Sequence, residues 1–352
     1  MEQIGLMELM KLAAEGVTEA ETFAQLTQRL SKTTKTNKPY LDVTFAAAEG
    51  NMSIKVWADK AWFPDIASLP IGSFVALSGQ WAKGQFGMEV AELNIRPLNE
   101  EEKESFLTGS GALREKQNQD LQDIRELTDK IQDPRLRVLC REFLSQYEER
   151  LYRTAAARNY HHARRGGLIE HTASMMRLAD AIATVTPELN KDLLLAGCLF
   201  HDSGKLWENS YPKEDFVMPY SDVGELLGHI PLGIELINSL WKKIMLLPEA
   251  ESWKTLEPPT ADVRIHLLHL IAAHHGELAF GSPVVPKTPE AFALHYIDNL
   301  DAKMEMFRNA YDTSEPLSAH VLQKKMPLPG NVVLPLAKIN EPPLEPPTEN
   351  SL

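Results

Sequence analysis

Cysteine is scarce in this 352-residue chain: Cys140 and Cys198 are the only two, far apart, and each lies inside an apolar helical pattern. That excludes a disulfide framework and reads as two buried free thiols in a reducing compartment. No apolar run approaches the ~18 residues that a membrane-spanning helix needs. The start, Met1-Glu2-Gln3-Ile4-Gly5, lacks the basic residues and apolar core of a signal peptide. The cytoplasm is the expected location, and no membrane partner is expected. Positive charge is also short, with 36 Lys and Arg against 49 Asp and Glu and a formal net charge of −13. This balance argues against a protein that coats nucleic acid non-specifically, because that mode relies on a positive surface to displace counterions. Acidic residues, in turn, are missing from two stretches. Between Glu21 and Asp42 stand only Arg29, Lys32, Lys35 and Lys38, and between Glu149 and Glu170 only Arg150, Arg153, Arg158, Arg164 and Arg165. The second of these runs directly into His171.

A composition of 43% hydrophobic and 24% charged residues is ordinary for a globular protein, and the length allows two domains. Residues 1–18 read as a short amphipathic helix with Ile4, Leu6, Met7, Leu9, Met10 and Leu12 as its apolar set. The pattern then changes to period two. Candidate strands are Phe23–Leu30, Tyr40–Ala46, Met52–Trp57, Phe74–Trp81 and Met88–Ile95, with a loop-helix segment, Trp62–Leu69, between the third and fourth. This arrangement matches the OB-fold, a small barrel that commonly binds single-stranded nucleic acid. In that reading Lys32, Lys35 and Lys38 track phosphates while Tyr40 and Phe86 are exposed for base stacking; Trp57 and Trp81 are assigned to packing. Residues 99–114, with Gly109-Ser110-Gly111, have linker composition. From Glu115 the pattern is helical, interrupted near Asp133-Pro134. After residue 311, eight of the 23 prolines fall between Pro316 and Pro347, which predicts an extended tail over 312–352.

The helical half carries seven side chains of metal-ligand type: His171, His201, Asp202, His229, His274, His275 and Asp298. Neutral imidazole and carboxylate suit Mn, Fe, Co, Ni or Zn, and a carboxylate has two oxygens with which to bridge a pair of ions. The order His…His-Asp…His…His-His…Asp resembles the HD-domain phosphohydrolases, an all-helical superfamily, over about Leu151–Asn309. Three further strings narrow the resemblance: His161-His162-Ala163-Arg164-Arg165-Gly166-Gly167-Leu168-Ile169-Glu170-His171, Ala273-His274-His275-Gly276-Glu277 and Ile297-Asp298-Asn299-Leu300-Asp301. Together with the barrel pattern they are similar to the YhaM-type bacterial 3′-5′ exoribonucleases over nearly the whole chain.

The resemblance implies a multidomain α+β protein: an N-terminal helix (1–18), an OB-fold domain (19–98), a linker (99–114), an all-α HD-type phosphohydrolase domain (115–311) and the proline-rich tail. It implies two divalent transition-metal ions, with Mn favoured over Fe, Co and Ni. One ion takes His171, His201, Asp202 and Asp298; the other takes His229, His274, His275 and the bridging Asp202. His275 is the open point, because adjacent residues on a regular helix point ~100° apart. Asp202 and Lys205 are the expected catalytic pair, Lys205 meeting a phosphate oxygen as charge develops. His161, His162, Arg164 and Arg165 are candidates to grip the substrate, and Asp301 is read as a supporting residue. The expected activity is metal-dependent 3′-5′ hydrolysis of single-stranded RNA, with single-stranded DNA as a further substrate. The resemblance also allows a homo-oligomer. Two alternatives stand beside it: a phosphohydrolase of small nucleotides, and a nucleic-acid-binding factor whose HD-like half is regulatory. The cyclic-dinucleotide version of the former lacks its Gly-Tyr-Pro after His274-His275, where this chain has Gly276-Glu277-Leu278.

Overall fold

A computed structural model describes residues 2–34, 36–84, 87–109, 111–337 and 339. Lys35 and Phe86, both expected to meet substrate, lie outside the described residues, as does the end of the proline-rich segment. The chain divides into two units: Met1–Arg114 with Pro212–Val217 and Met306–Leu352, and Glu115–Tyr211 with Met218–Glu305.

In the first unit, five strands close a barrel: Thr18–Thr33, Pro39–Ala47, Gly50–Trp57, Phe74–Gly84 and Gly87–Pro97. The long first strand closes it by serving two neighbours. Thr18–Gln25 pairs antiparallel with Phe74–Trp81, and Gln25–Thr33 pairs antiparallel with Pro39–Ala46, with a register shift at Leu26/Gln28 where the strand bends. The third strand meets the fifth in parallel at Ile54 and Met88, so the order around the barrel is first, second, third, fifth, fourth and back to the first. Together with the helix Phe63–Ser68 between the third and fourth strands, this is an OB-like barrel. Alternation puts Leu26, Val43, Phe45, Ile54, Val75, Leu77 and Trp81 inside. The Trp81 indole N–H donates to the Ala20 carbonyl at 3.2 Å, which lets so large a ring be buried without an orphan donor. Leu6 and Leu9, from the amphipathic helix Leu6–Glu15, join the same core.

The segment expected to be a linker is a helix, Glu100–Thr108. Asn99 caps it: its side chain accepts from the Glu102 N–H at 2.8 Å, and the Glu102 carboxylate accepts from the Asn99 N–H at 2.9 Å. This capping box satisfies two terminal donors reciprocally, and Arg96 pairs with Glu102 at 2.9 Å. Phe106 on this helix packs edge-on against Phe23, Phe74 and Phe216. Phe216 explains why Pro212–Val217, expected in the helical domain, groups with the first unit: its backbone N–H donates to the Gln25 side chain at 2.8 Å and its ring joins this aromatic cluster. The proline-rich segment is also folded in part. Val321–Leu322 pairs antiparallel with Val332–Val333, because Leu322, Leu328, Val332 and Leu334 supply apolar surface that is buried.

The second unit is helical. Its main helices are Pro134–Leu151, Gly167–Val185, Lys191–Phe200, His229–Ile244, Thr260–Ala273 and the part of Pro289–Thr313 up to Glu305. Asp133 caps Pro134–Leu151 at the interruption read from the sequence. One core runs through all of them, including Phe143, Ile169, Met175, Leu195, Phe200, Ile237, Leu267, Leu270, Leu294 and Ile297. Among the described residues no helix is long and apolar enough to cross a membrane.

Two outcomes follow. Trp81→Ala should destabilise the first unit by about 3–5 kcal/mol and Asn99→Ala by about 1 kcal/mol, read from urea unfolding; an unchanged midpoint for Asn99→Ala would mean that the helix is held by Phe106 packing alone. Cys140 and Cys198 are fully buried, and burial pushes both thiols well above their usual range. Ellman's reagent should therefore find no reactive thiol in the native protein and two after denaturation.

Candidate metal centre

Local structure aims the seven side chains at one volume. His171 lies one turn into Gly167–Val185; His201 and Asp202 directly follow Lys191–Phe200; His229 opens His229–Ile244. His274 caps Thr260–Ala273, His275 follows it in the turn, and Asp298 lies on Pro289–Thr313. Gly204 brings two of these pieces together, since a Cβ there would lie 1.9 Å from the His229 carbonyl oxygen. Gly276, at φ +79°, ends the helix straight after the His274-His275 pair and frees His275 from helical geometry.

The ligand atoms fall into two sets that share one carboxylate. In the first set His171 Nε2 lies 3.1 Å from His201 Nε2 and 3.3 Å from Asp298 Oδ1, and His201 Nε2 lies 3.3 Å from Asp202 Oδ2. In the second set His229 Nε2 lies 3.2 Å from His275 Nε2, and Asp202 Oδ1 lies 3.5 Å from His229 Nε2 and 3.7 Å from His274 Nε2. Asp202 therefore offers one oxygen to each set. His275 lies in the second set with His274, their ligand atoms close enough to share one ion despite adjacency in the chain.

Every one of the five rings is oriented from behind. His201 Nδ1 donates to the Cys198 carbonyl at 2.9 Å, His274 Nδ1 to the Ile271 carbonyl at 2.8 Å and His275 Nδ1 to the Phe280 carbonyl at 2.7 Å. His171 Nδ1 donates to Asp301 at 2.7 Å and His229 Nδ1 to Glu208 at 2.9 Å. A carbonyl or carboxylate oxygen only accepts, so these bonds put the N–H on Nδ1 and leave the Nε2 lone pairs facing inward. Lone pairs about 3 Å apart repel unless positive charge lies between them. Among the described residues, Asp202 Oδ1 and His274 Nε2 are buried without a hydrogen-bond partner. The donor set thus fits a pair of divalent transition-metal ions.

The electrostatics agree. Burial opposes charge on His171, but Asp298 and Asp301 outweigh it and raise the imidazole to about 10, so that with no ion present a proton on Nε2 takes the place beside Asp298 that a metal cation would fill. Burial together with the neighbouring His201 and His275 keeps His274 well below its ordinary value. Asp202 is held low, against burial, by Lys205, His201 and His229. Burial also lowers His275, so the carboxylates beside His171 draw a cation while His274 and His275 are disposed to offer lone pairs.

The other expected residues are placed as follows. Lys205 donates to Asp202 Oδ2 at 2.6 Å. His161 stands beside the centre, its ring 5.9 Å from that of His171; its Nδ1 is buried without a hydrogen-bond partner, and burial holds it neutral, down to about 4. His162 and Arg164, expected to grip substrate, are engaged within the fold. His162 is buried against Asp301 at 3.2 Å, and Arg164 is engaged by Glu170 and by Glu305, the latter at 2.9 Å. The Arg165 backbone carbonyl accepts from Gln117 at 2.9 Å. Arg158 likewise donates to the Glu208 and Pro219 carbonyls at 3.0 and 2.7 Å and lies over the Tyr220 ring, so much of the basic stretch serves internal contacts. In the barrel, Lys32 is salt-bridged to Asp42, Lys38 is exposed, and Tyr40 lies against the half-buried Trp57 with ring centroids 5.0 Å apart. His269 accepts from the Lys287 N–H at 3.0 Å, and His295 donates to the His274 carbonyl at 2.9 Å. Sequence reasoning missed Glu208, Glu170 and the Phe280 carbonyl. Only Glu208, six residues after Asp202, carried even a weak signal.

The HD domain family model matches residues 168–303. Three curated relatives, each named 3′-5′ exoribonuclease YhaM, align along most of their length. The protein from Bacillus subtilis is 32% identical over 79% of this chain and 83% of its own. That from a Geobacillus species is 31% identical over 79% and 81%, and that from Oceanobacillus iheyensis 29% over 85% and 88%.

Because the Gly204 approach leaves no room for a methyl group, Gly204→Ala should destabilise the protein by about 1–3 kcal/mol through overpacking. A wild-type midpoint in urea for that variant would show that the close approach carries no energetic weight.

Proposed function

Since the chain belongs to the YhaM family of 3′-5′ exoribonucleases, a hydrolase of the nuclease class, we propose that it shortens single-stranded RNA from the 3′ end and releases nucleoside 5′-monophosphates. The observation that carries this reading is the pair of donor sets sharing Asp202, in a chain that also holds an OB-like barrel. His171, His201, Asp202 and Asp298 would hold one ion, and His229, His274, His275 and Asp202 the other, with Mn the metal to test first. When bound, such a pair supplies Lewis-acid stabilisation of the scissile phosphate and a nucleophile at neutral pH.

The chain's own residues do the rest. Asp202 and Asp298, kept ionised by their imidazole and ammonium neighbours, set the negative charge of the centre. Lys205, anchored on Asp202, is within reach of a non-bridging phosphate oxygen as charge grows there, and acts as a preorganised positive charge. His161, neutral and with an unpartnered ring nitrogen, is the side chain to bind the terminal nucleotide's phosphate or ribose. Lys38 and Tyr40 on the barrel serve a strand's backbone and bases, a sequence-tolerant mode suited to an enzyme that must pass every base.

A 5′-labelled single-stranded RNA incubated with Mn and resolved on a sequencing gel should yield a ladder shortening from the 3′ end. Asp202→Ala should abolish it, and single-stranded DNA run alongside measures sugar preference. A protein lacking residues 1–98 should lose activity on long RNA and keep it on short oligonucleotides. Intact RNA in the wild-type lane, with strand binding retained, would favour a binding factor. Hydrolysis confined to small nucleotides would favour the phosphohydrolase.

A further inference from the structure

The two donor sets have different surroundings. Behind the first, Asp301 is 2% exposed and its Oδ2 accepts from both His171 Nδ1, at 2.7 Å, and His162 Nε2, at 3.2 Å. His162 Nδ1 in turn faces Glu170 at 3.8 Å and Glu305 at 3.9 Å. Arg164 ties those two carboxylates together, with its Nε 3.0 Å from Glu170 and its Nη1 2.9 Å from Glu305. Lys116 pairs with Glu170, and Gln117 donates to it at 3.3 Å; both sit on the helix Gly111–Asp129, outside the matched residues 168–303. His171 is therefore the end of a charge-paired chain, buried at Asp301, His162 and Glu170, that passes through the partly exposed Arg164 and Lys116 to a helix outside the matched residues.

Behind the second set there is much less. His229 leans on Glu208, whose side chain is 28% exposed. His275 leans on a backbone carbonyl in the one-turn 3-10 helix Leu278–Phe280, where Leu278 and Phe280 are 65% and 63% exposed. Of its three histidines only His274 is fully buried.

We infer that the two metal sites are unequal: the His171 set retains its ion tightly and exchanges it slowly, while the His229 set exchanges its ion readily. The inference rests on the dinuclear reading above. An ion leaves only when its ligands rotate away or water reaches them. A ring locked through Asp301, His162 and Arg164 needs a buried ionic network to open, whereas a ring held by an exposed turn needs only a local fluctuation. His162, Arg164 and Asp301 are positioning residues for the tight site, and Glu208 has that role for the exchangeable one. The metal that supports activity at a given free concentration is then set by the His229 set, since the other is already filled.

The test uses the full chain. Protein loaded with Mn is dialysed against EDTA, its metal content is followed by mass spectrometry, and apo protein is titrated with Mn by calorimetry, with circular dichroism to check each fold. Wild type should lose one ion equivalent quickly and the second slowly, and should titrate in two steps. His162→Gln should weaken the tight step by about 10–100-fold, the range for residues that orient a ligand, and leave the weak step in place. Arg164→Lys should act in the same direction by less, and Glu208→Gln should weaken only the weak step. Two ions that bind and leave alike, or a Glu208→Gln protein that loses its tight ion, would overturn the inference while leaving the dinuclear reading standing. Wild type that binds no Mn would overturn both.

Discussion

Asp202 is the constraint around which the helical unit is arranged. A single buried carboxylate cannot face two groups of imidazole lone pairs unless the helix ends that carry those imidazoles converge on it from several directions, and here they do. Burying ionised groups is costly unless they are paired, and breaking one partner of such a pair costs more than the pair contributes. The surroundings respond to this. Lys205 sits on one Asp202 oxygen, Asp298 faces His171, and each imidazole has an acceptor on its far nitrogen. The small residues at the junctions follow from the same demand, because Gly204 must let the His229 backbone come close.

The basic stretch before His171 shows how much of a sequence's charge the fold itself can use. Five arginines without an acidic neighbour suggest a phosphate grip, yet Arg158 and Arg164 are consumed by carbonyls and carboxylates of the fold itself. Their partners, Glu170, Glu305 and Pro219, lie from six to well over a hundred residues away, so no local pattern reveals them. His161, by contrast, keeps an unpartnered nitrogen next to the centre although it is the direct neighbour of the structurally engaged His162. A one-residue step separates a ring with a buried, unpartnered nitrogen from one paired with a carboxylate.

The barrel and the helical unit are each built around a core of their own. A closed five-stranded barrel has little free edge, so its binding capacity lies in side chains on its outer face and loops. The capping box at Asn99 and the aromatic cluster of Phe23, Phe74, Phe106 and Phe216 make the segment after the barrel part of that unit. Composition alone reads that segment as linker, although Asn99-x-x-Glu102 is a local signal that was there to be found.

Period-two patterning was enough to locate all five barrel strands and helical patterning to recognise the helical half, and the seven ligand-type residues picked out by family resemblance are ones that the fold brings to one volume. These are local properties: burial of one face imposes a period, and a metal site demands particular side-chain chemistries wherever they stand. What only the tertiary structure decided is which residue supports which. The support of Glu208 behind His229, the bond of Asp301 to both His171 and His162, the recruitment of Phe216 and the pairing of Arg164 with Glu305 all join residues far apart in the chain. Such contacts are selected by packing and charge compensation in three dimensions, which leave no periodic mark in the sequence.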